Sequence, residues 1–318
     1  GIRIRDSGAG GEGRTVEQTQ AMAGARFVDP KVLARLNSLE LVARTVVDGF
    51  INGLHRAPHL GFSLDFAEHR GYEPGDDLRR VDWRLYARTD RFYVKQFEAD
   101  SNANLVVVLD VSASMRFGSR GLPKIDYGRY LAASLLYFSH QQRDRVGLVT
   151  FDRRIVSYVP PSAKHLDFAL FALDRAEAGR EGELAAPLLT ATERLRRRGI
   201  VVVVSDLYEE PDRVAAAVRP LRFRGHDVIV FHLLDPAERD FPFDEASSFE
   251  DLESGERLPV VPEALRAEYQ ELVRRHIEAL GRLLLDSRVD YALLDTSVPL
   301  DFALFRYLAA RERLRRVR

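Results

Sequence analysis

The 318-residue chain contains no cysteine. Disulfides, thiolate metal sites and cysteine nucleophiles are therefore excluded, and the composition suits a reducing compartment. It also lacks net charge: 47 Lys and Arg against 48 Asp and Glu leave −1. No global field argues for nucleic acid or an anionic membrane. No apolar stretch approaches the roughly 20 residues of a membrane span. The opening GIRIRDSGAGGEGRT is polar, without the apolar core of a secretory signal, and does not begin with Met. Residues 1–28 are expected to be a disordered tail on a soluble, cytoplasmic protein.

What the chain does have is a buried-strand pattern ending in oxygen ligands. Residues 105–115 read LVVVLDVSASM. A short, continuous apolar run closed by small polar residues predicts a fully buried strand feeding a loop. The loop carries Asp110, Ser112 and Ser114, which are oxygen donors only. Such a set suits a hard divalent cation, Mg²⁺ first, then Mn²⁺ or Ca²⁺. The plainer alternative is that the two serines cap the next helix.

The second half alternates strand and helix. Strands are predicted at 105–110, 145–151, 155–159, 200–204, 227–234 and 290–294. Helices are predicted at 124–142, 163–176, 186–198, 214–224, 262–285 and 299–316. Arg196, Arg197 and Arg198 would close the third of these helices, favoured by its dipole. The long helix would carry a stripe of Leu265, Tyr269, Leu272, Ile277, Leu280 and Leu284. Residues 235–261 read as acidic and turn-rich. Alternation of this kind predicts an α/β domain over 104–318, a mostly parallel sheet with helices on both faces. The 155–159 strand, returning from a hairpin, would be its antiparallel edge. The run VVVVSD repeats the opening design, so Asp206 would share a rim with Asp110 at the carboxyl ends of the strands.

Upstream, residues 29–103 form a distinct segment. A helix is predicted from Pro30 to about Gly53. The dense stretch 53–100 that follows has one strand-like piece around Phe92, Val94 and Phe97. His55, His59 and His69 fall here with Asp65 and Glu68, but their spacings match no standard zinc ligand set. Asp76, Asp77, Arg79, Asp82, Trp83 and Arg88 suit a salt-bridged scaffold tying this segment to the sheet. A surface for a partner is the alternative.

DVSASM, a buried helix after it, and VVVVSD at the fourth strand resemble the metal-ion-dependent adhesion site of von Willebrand factor A domains. That resemblance implies a von Willebrand factor A-like fold and a metal site of Asp110, Ser112, Ser114 and Asp206. The family usually adds a Thr from the loop before the intervening helix. Here that loop reads GREGELAAPL, and Gly182 stands at the Thr position with Glu183 beside it. GLHRAPHLG, YEPGDDLRRVDWRLYAR and YVKQFEAD before the first strand, with FEDLESGE and DYALLDTSVPLDFALFRYLAARER after it, resemble the bacterial family called domain of unknown function 58. The likeness runs over about residues 30–318. It implies a partner, a MoxR-type AAA+ ATPase, and a chaperone-like or adaptor role.

Metal-dependent protein recognition is therefore the expected function, with no catalysis. The competing class is a Mg²⁺-dependent phosphatase-like or other hydrolytic enzyme with Asp110 as nucleophile. Haloacid-dehalogenase-like enzymes place a second Asp two residues later, where this chain has Ser112. No Gly-rich loop with Lys suits an NTPase. A third class, nucleic-acid binding through Arg306, Arg311, Arg313, Arg315, Arg316 and Arg318, lacks interleaved aromatics. A solvated helix end explains those arginines.

Overall fold

The uninterrupted apolar runs become the middle of a six-stranded sheet. The computed structural model describes residues 2–3, 33, 36, 38–56, 68–71, 93–96, 103–244, 247–252, 255–301, 303–304 and 307. The sheet strands are β1 (Asn104–Asp110), β2 (Arg145–Phe151), β3 (Ile155–Ser162), β4 (Ile200–Ser205), β5 (Asp227–Leu234) and β6 (Asp290–Asp295). Their order is β6-β5-β4-β1-β2-β3. Every pairing is parallel except β2 with β3. The order reverses beside β1, so β1 and β4 leave the sheet in diverging directions. The crevice at their carboxyl ends is where open α/β sheets bind ligands.

β1 and β4 are buried along their whole length. Successive side chains of a strand point to opposite faces, and two separate cores result. Leu105, Val107, Leu109, Val202 and Val204 meet α2 (Lys124–Gln141) and α3 (Leu166–Asp174). Val106, Val108, Val201 and Val203 meet α4 (Ala185–Arg194), α5 (Pro211–Phe223) and the end of α7 (Pro262–Asp286). A strand apolar on both faces needs helices on both faces, as the sequence pattern required.

A further helix, α1 (Leu39–Arg56), lies over α2 and buries Val42, Val46, Val47 and Phe50 in the same core. Phe50 meets Phe138 edge-on at 6.0 Å. α2 is therefore enclosed between sheet and helix, which explains why it is apolar on most sides. The N-terminal segment thus contributes to the core of the α/β domain. Within it, Glu68–Gly71 pairs antiparallel with Tyr93–Gln96, the strand anticipated around Val94. His59, Asp76, Asp77, Arg79, Asp82, Trp83, Arg88 and the terminal arginines lie outside the described residues.

Several expectations need correction. β3 continues through Pro160 and Pro161 to Ser162. Proline is tolerated there because β3 is an edge strand and its register against β2 slips between Val146 and Leu148. Gly147 makes the slip possible: a Cβ there would come within 2.8 Å of the Val159 carbonyl oxygen. α4 ends at Arg194, so Arg196–Arg198 stand beyond it and do not serve its dipole. Beyond the helix, Asn104 Nδ2 donates to the Arg198 carbonyl at 3.2 Å and β4 begins at Ile200.

Of the predicted stripe on α7 only Leu280 and Leu284 are buried, while Leu265 and Leu272 are exposed. The helix meets the sheet by its second half. Its first half packs Tyr269 on a small cluster of Phe241, Phe249 and Val260. The acidic stretch 235–261 is not simply turns. It holds α6 (Pro236–Asp240) and a hairpin of Ser247–Asp251 with Arg257–Val260. Ile2–Arg3 pairs with that hairpin, which corrects the reading of those two residues as tail. Among the described residues no helix is long and apolar enough to cross a membrane.

Candidate metal centre

At the end of β1 the backbone turns at once into a 3₁₀ turn, Ala113–Arg116. The Asp110 carboxylate makes that turn. Its Oδ1 accepts from the Ser112 backbone N–H at 2.8 Å. Its Oδ2 accepts from the Ser205 hydroxyl of β4 at 2.6 Å. Asp110 therefore ties the two central strands together and orients the serine loop. The loop is held from outside as well. Val111 N–H donates to Phe151 O at 2.8 Å, and Ala113 N–H to Arg180 O at 2.6 Å.

Within this frame the Ser112 and Ser114 hydroxyl oxygens lie 3.0 Å apart. Ser114 also hydrogen-bonds Asp206, whose charge is felt by Asp110. All four residues expected from the sequence, Asp110, Ser112, Ser114 and Asp206, are buried and meet at one point. The helix-cap alternative fails for Ser112: it precedes the 3₁₀ turn, but its side chain makes no capping hydrogen bond.

Burial, and then repulsion from Asp206, push the Asp110 carboxyl up to about 7, against hydrogen bonds from Ser205 and Ser112. Asp206 goes the other way. Burial opposes its charge, but Lys124 beside it holds its carboxyl below the usual range. Two buried carboxylates with one unshielded member form a site that a cation would relieve.

The hydroxyl spacing tests which cation. Two adjacent octahedral oxygens at about 2.1 Å from an ion, the Mg²⁺ distance, lie about 3.0 Å apart. Ca²⁺, at about 2.3–2.6 Å, would need them wider. The pair stands at the Mg²⁺ spacing, which is also the length of the hydrogen bond the two hydroxyls make to each other, and with the buried carboxylates it makes an oxygen donor set that fits the ion. Among the described residues no group of three or more His, Cys, Asp or Glu could hold a metal. The site is not of that kind, since half of its oxygens come from serine.

The loop carrying Gly182 and Glu183 does run beside the serines. Ser112 bridges to Arg180 in parallel fashion. The Glu183 side chain is exposed, and its backbone N–H donates to Asp152 O at 3.4 Å. No third hydroxyl comes from this loop.

Three residues of the cluster went unread in the sequence. Ser205 stood in the quoted VVVVSD, but a lone serine before an aspartate carries no signal. Lys124 opens α2 and is fully buried. Its Nζ lies 2.8 Å from Asp206 Oδ2 and 2.7 Å from Glu238 Oε1. Only four of the 47 basic residues are lysines, so a Lys amid arginines was the available hint. Glu238 sits on α6, where its Oε2 accepts from the Asp235 N–H at 2.9 Å in a capping box. His232, in register with Ser205, is turned instead to the Tyr291 hydroxyl at 2.8 Å. Burial pushes its imidazole down to about 3.

A DxSxS loop on the first central strand, a second Asp on the next strand and one antiparallel edge define a von Willebrand factor A-like protein. The chain belongs to the family described as "Protein of unknown function DUF58", whose model matches residues 68–279. It is 31% identical over 275 residues to uncharacterized proteins of Mycobacterium tuberculosis and Mycobacterium bovis, covering 82% of this chain and 86% of theirs. A stretch of 123 residues is 28% identical to the magnesium-chelatase 67 kDa subunit of Chlorobaculum parvum, 38% of this chain and 19% of that one. Among solved structures, BatB from Bacteroides thetaiotaomicron aligns with a TM-score of 0.47 at 16% identity, over 66% of this chain and 98% of that one.

Proposed function

We propose that the protein is a metal-dependent protein-recognition module, binding Mg²⁺ at Ser112, Ser114 and Asp206 with Asp110 behind them, and that it does not catalyse a reaction. The observation that carries this reading is the 3.0 Å hydroxyl pair framed by two buried carboxylates. Serine hydroxyls are neutral, so an ion held by them stays electrophilic. With few protein ligands Mg²⁺ keeps exchangeable waters. A Glu or Asp of another protein could replace one of them. Asp110 is poorly disposed as a nucleophile, because both its oxygens already accept hydrogen bonds. His232 faces Tyr291 and offers no base to the serines.

The partner we propose, from the family resemblance, is a MoxR-type AAA+ ATPase in a chaperone-like or adaptor assembly in the cytoplasm. The test is capture of the purified ATPase encoded in the same genome by immobilised wild type and by Ser112→Ala/Ser114→Ala. Retention by wild type in Mg²⁺, lost in EDTA and in the double variant, is expected. Equal retention in all conditions would refute metal dependence. A phosphatase and ATPase screen with Mg²⁺ addresses the hydrolytic alternative, and turnover abolished by Asp110→Asn would favour it.

A further inference from the structure

Lys124 occupies a costly position. It is the first residue of α2, where a helix dipole disfavours cations, and its side chain is wholly out of water. A lysine this deep persists only if its charge is matched. Here it is matched twice, by Asp206 and by Glu238. Neither partner is loosely placed. Glu238 is fixed by the Asp235 N–H, and Tyr269 donates to its backbone carbonyl at 2.8 Å. Asp235 in turn accepts from the Ser119 N–H at 2.9 Å, in the loop that follows the serines. The Tyr208 ring stands 4.7 Å from Nζ on the remaining side.

One of the two carboxylate oxygens of Asp206 is thus taken by a fixed ammonium before any ion arrives. Formal charges make the consequence countable. With an ion present to keep Asp110 ionised, Asp110, Asp206 and Glu238 contribute three negatives and Lys124 one positive. The cluster stands at −2, which one divalent ion neutralises, and without Lys124 it would stand at −3. We propose that Lys124 is a built-in counter-ion that sets the ion affinity of the centre: it lets the ion-free site stay folded and keeps the ion weakly held. The inference rests on the metal-dependent reading above.

The test measures Mn²⁺ affinity by calorimetry, with the Mn²⁺-dependent rise in Tm as a second readout. The proteins are the wild-type chain, Lys124→Met and Lys124→Met/Glu238→Gln. The double variant is the decisive one. It keeps the cluster at −2, Gln can replace Glu in a capping box, and Asp206 is released. If the single variant does not fold, the double carries the test. The freed Asp206 Oδ2 in both variants, with the lost positive charge added in the single one, is expected to tighten Mn²⁺ by at least about tenfold. Ser112→Ala added to the double should abolish the binding, assigning it to this centre. Tight binding by the variants beside weak or undetectable binding by wild type supports the inference. Measurable binding by wild type with equal or weaker binding by the folded double variant overturns it. Absence of Mn²⁺ binding in all three overturns the metal reading, and the inference with it.

Discussion

The Ser205 hydroxyl lies 2.6 Å from Asp110 Oδ2, joining the ends of β4 and β1 across 95 residues of sequence. Both groups are buried. Ser205→Ala leaves a buried carboxylate oxygen without its donor, and hydrogen bonds to charged groups are the costly ones to lose. A loss of about 1–3 kcal/mol is expected in urea unfolding, with the slope of the transition unchanged. A variant as stable as wild type would mean that the Ser112 N–H alone fixes Asp110.

Lys124→Ala should be far more damaging. It strands Asp206 and Glu238 together without their cation, and breaking a buried pair costs about 3–5 kcal/mol. Exposed pairs are the internal contrast. Arg274 with Glu271 and Glu278 on α7 lies in water, and Arg274→Ala should leave the urea midpoint close to that of wild type. Comparable losses from the two substitutions would contradict the burial argument.

Asp301 supplies a pH signature away from the candidate centre. Burial pushes its carboxyl up from 3.8 to about 6. The folded state therefore binds the proton more tightly than the unfolded chain. The contribution of that proton is complete below about pH 4 and is lost as pH rises through about 6. Asp301→Asn should flatten this fall and stabilise the protein at pH 7.5 by roughly 2 kcal/mol. The measurement is Tm against pH from 4 to 8, and parallel curves for variant and wild type would exclude the assignment.

Gly199 marks a close approach of chain to chain at the entry to β4. A Cβ there would lie 2.3 Å from the Asn104 carbonyl oxygen and 2.8 Å from the Asn104 Cβ. Backbone cannot yield as a side-chain tip does. Gly199→Ala is expected to cost about 1–3 kcal/mol through overpacking, read from the urea midpoint.

The readable parts of the sequence were those whose physics is local. Leu105–Leu109, Ile200–Val204 and Val228–Phe231 are apolar without a break, and runs so short, bounded by turn signals, read as strands covered on both faces. Asp110, Ser112, Ser114 and Asp206 followed, because each stands at or just past a strand end. The Lys124 contacts were not readable. They span 82 and 114 residues, and a lysine at a helix start looks like any solvated one. The hairpin at 247–260 carries little signal because its strands, SSFED and RLPV, are short and lack an alternating apolar pattern. α7 misled for the opposite reason: its leucine stripe is regular, but only its second half reaches the sheet.

The centre itself is tested most directly by titrating Mn²⁺ and Ca²⁺ into wild type and Ser112→Ala/Ser114→Ala at pH 7.5. Saturable binding of one Mn²⁺, weaker binding of Ca²⁺, and loss of both in the folded double variant are expected from the 3.0 Å hydroxyl pair. Unchanged Mn²⁺ affinity in the folded serine double variant, or no binding by wild type and by Lys124→Met/Glu238→Gln alike, would show that these serines hold no metal.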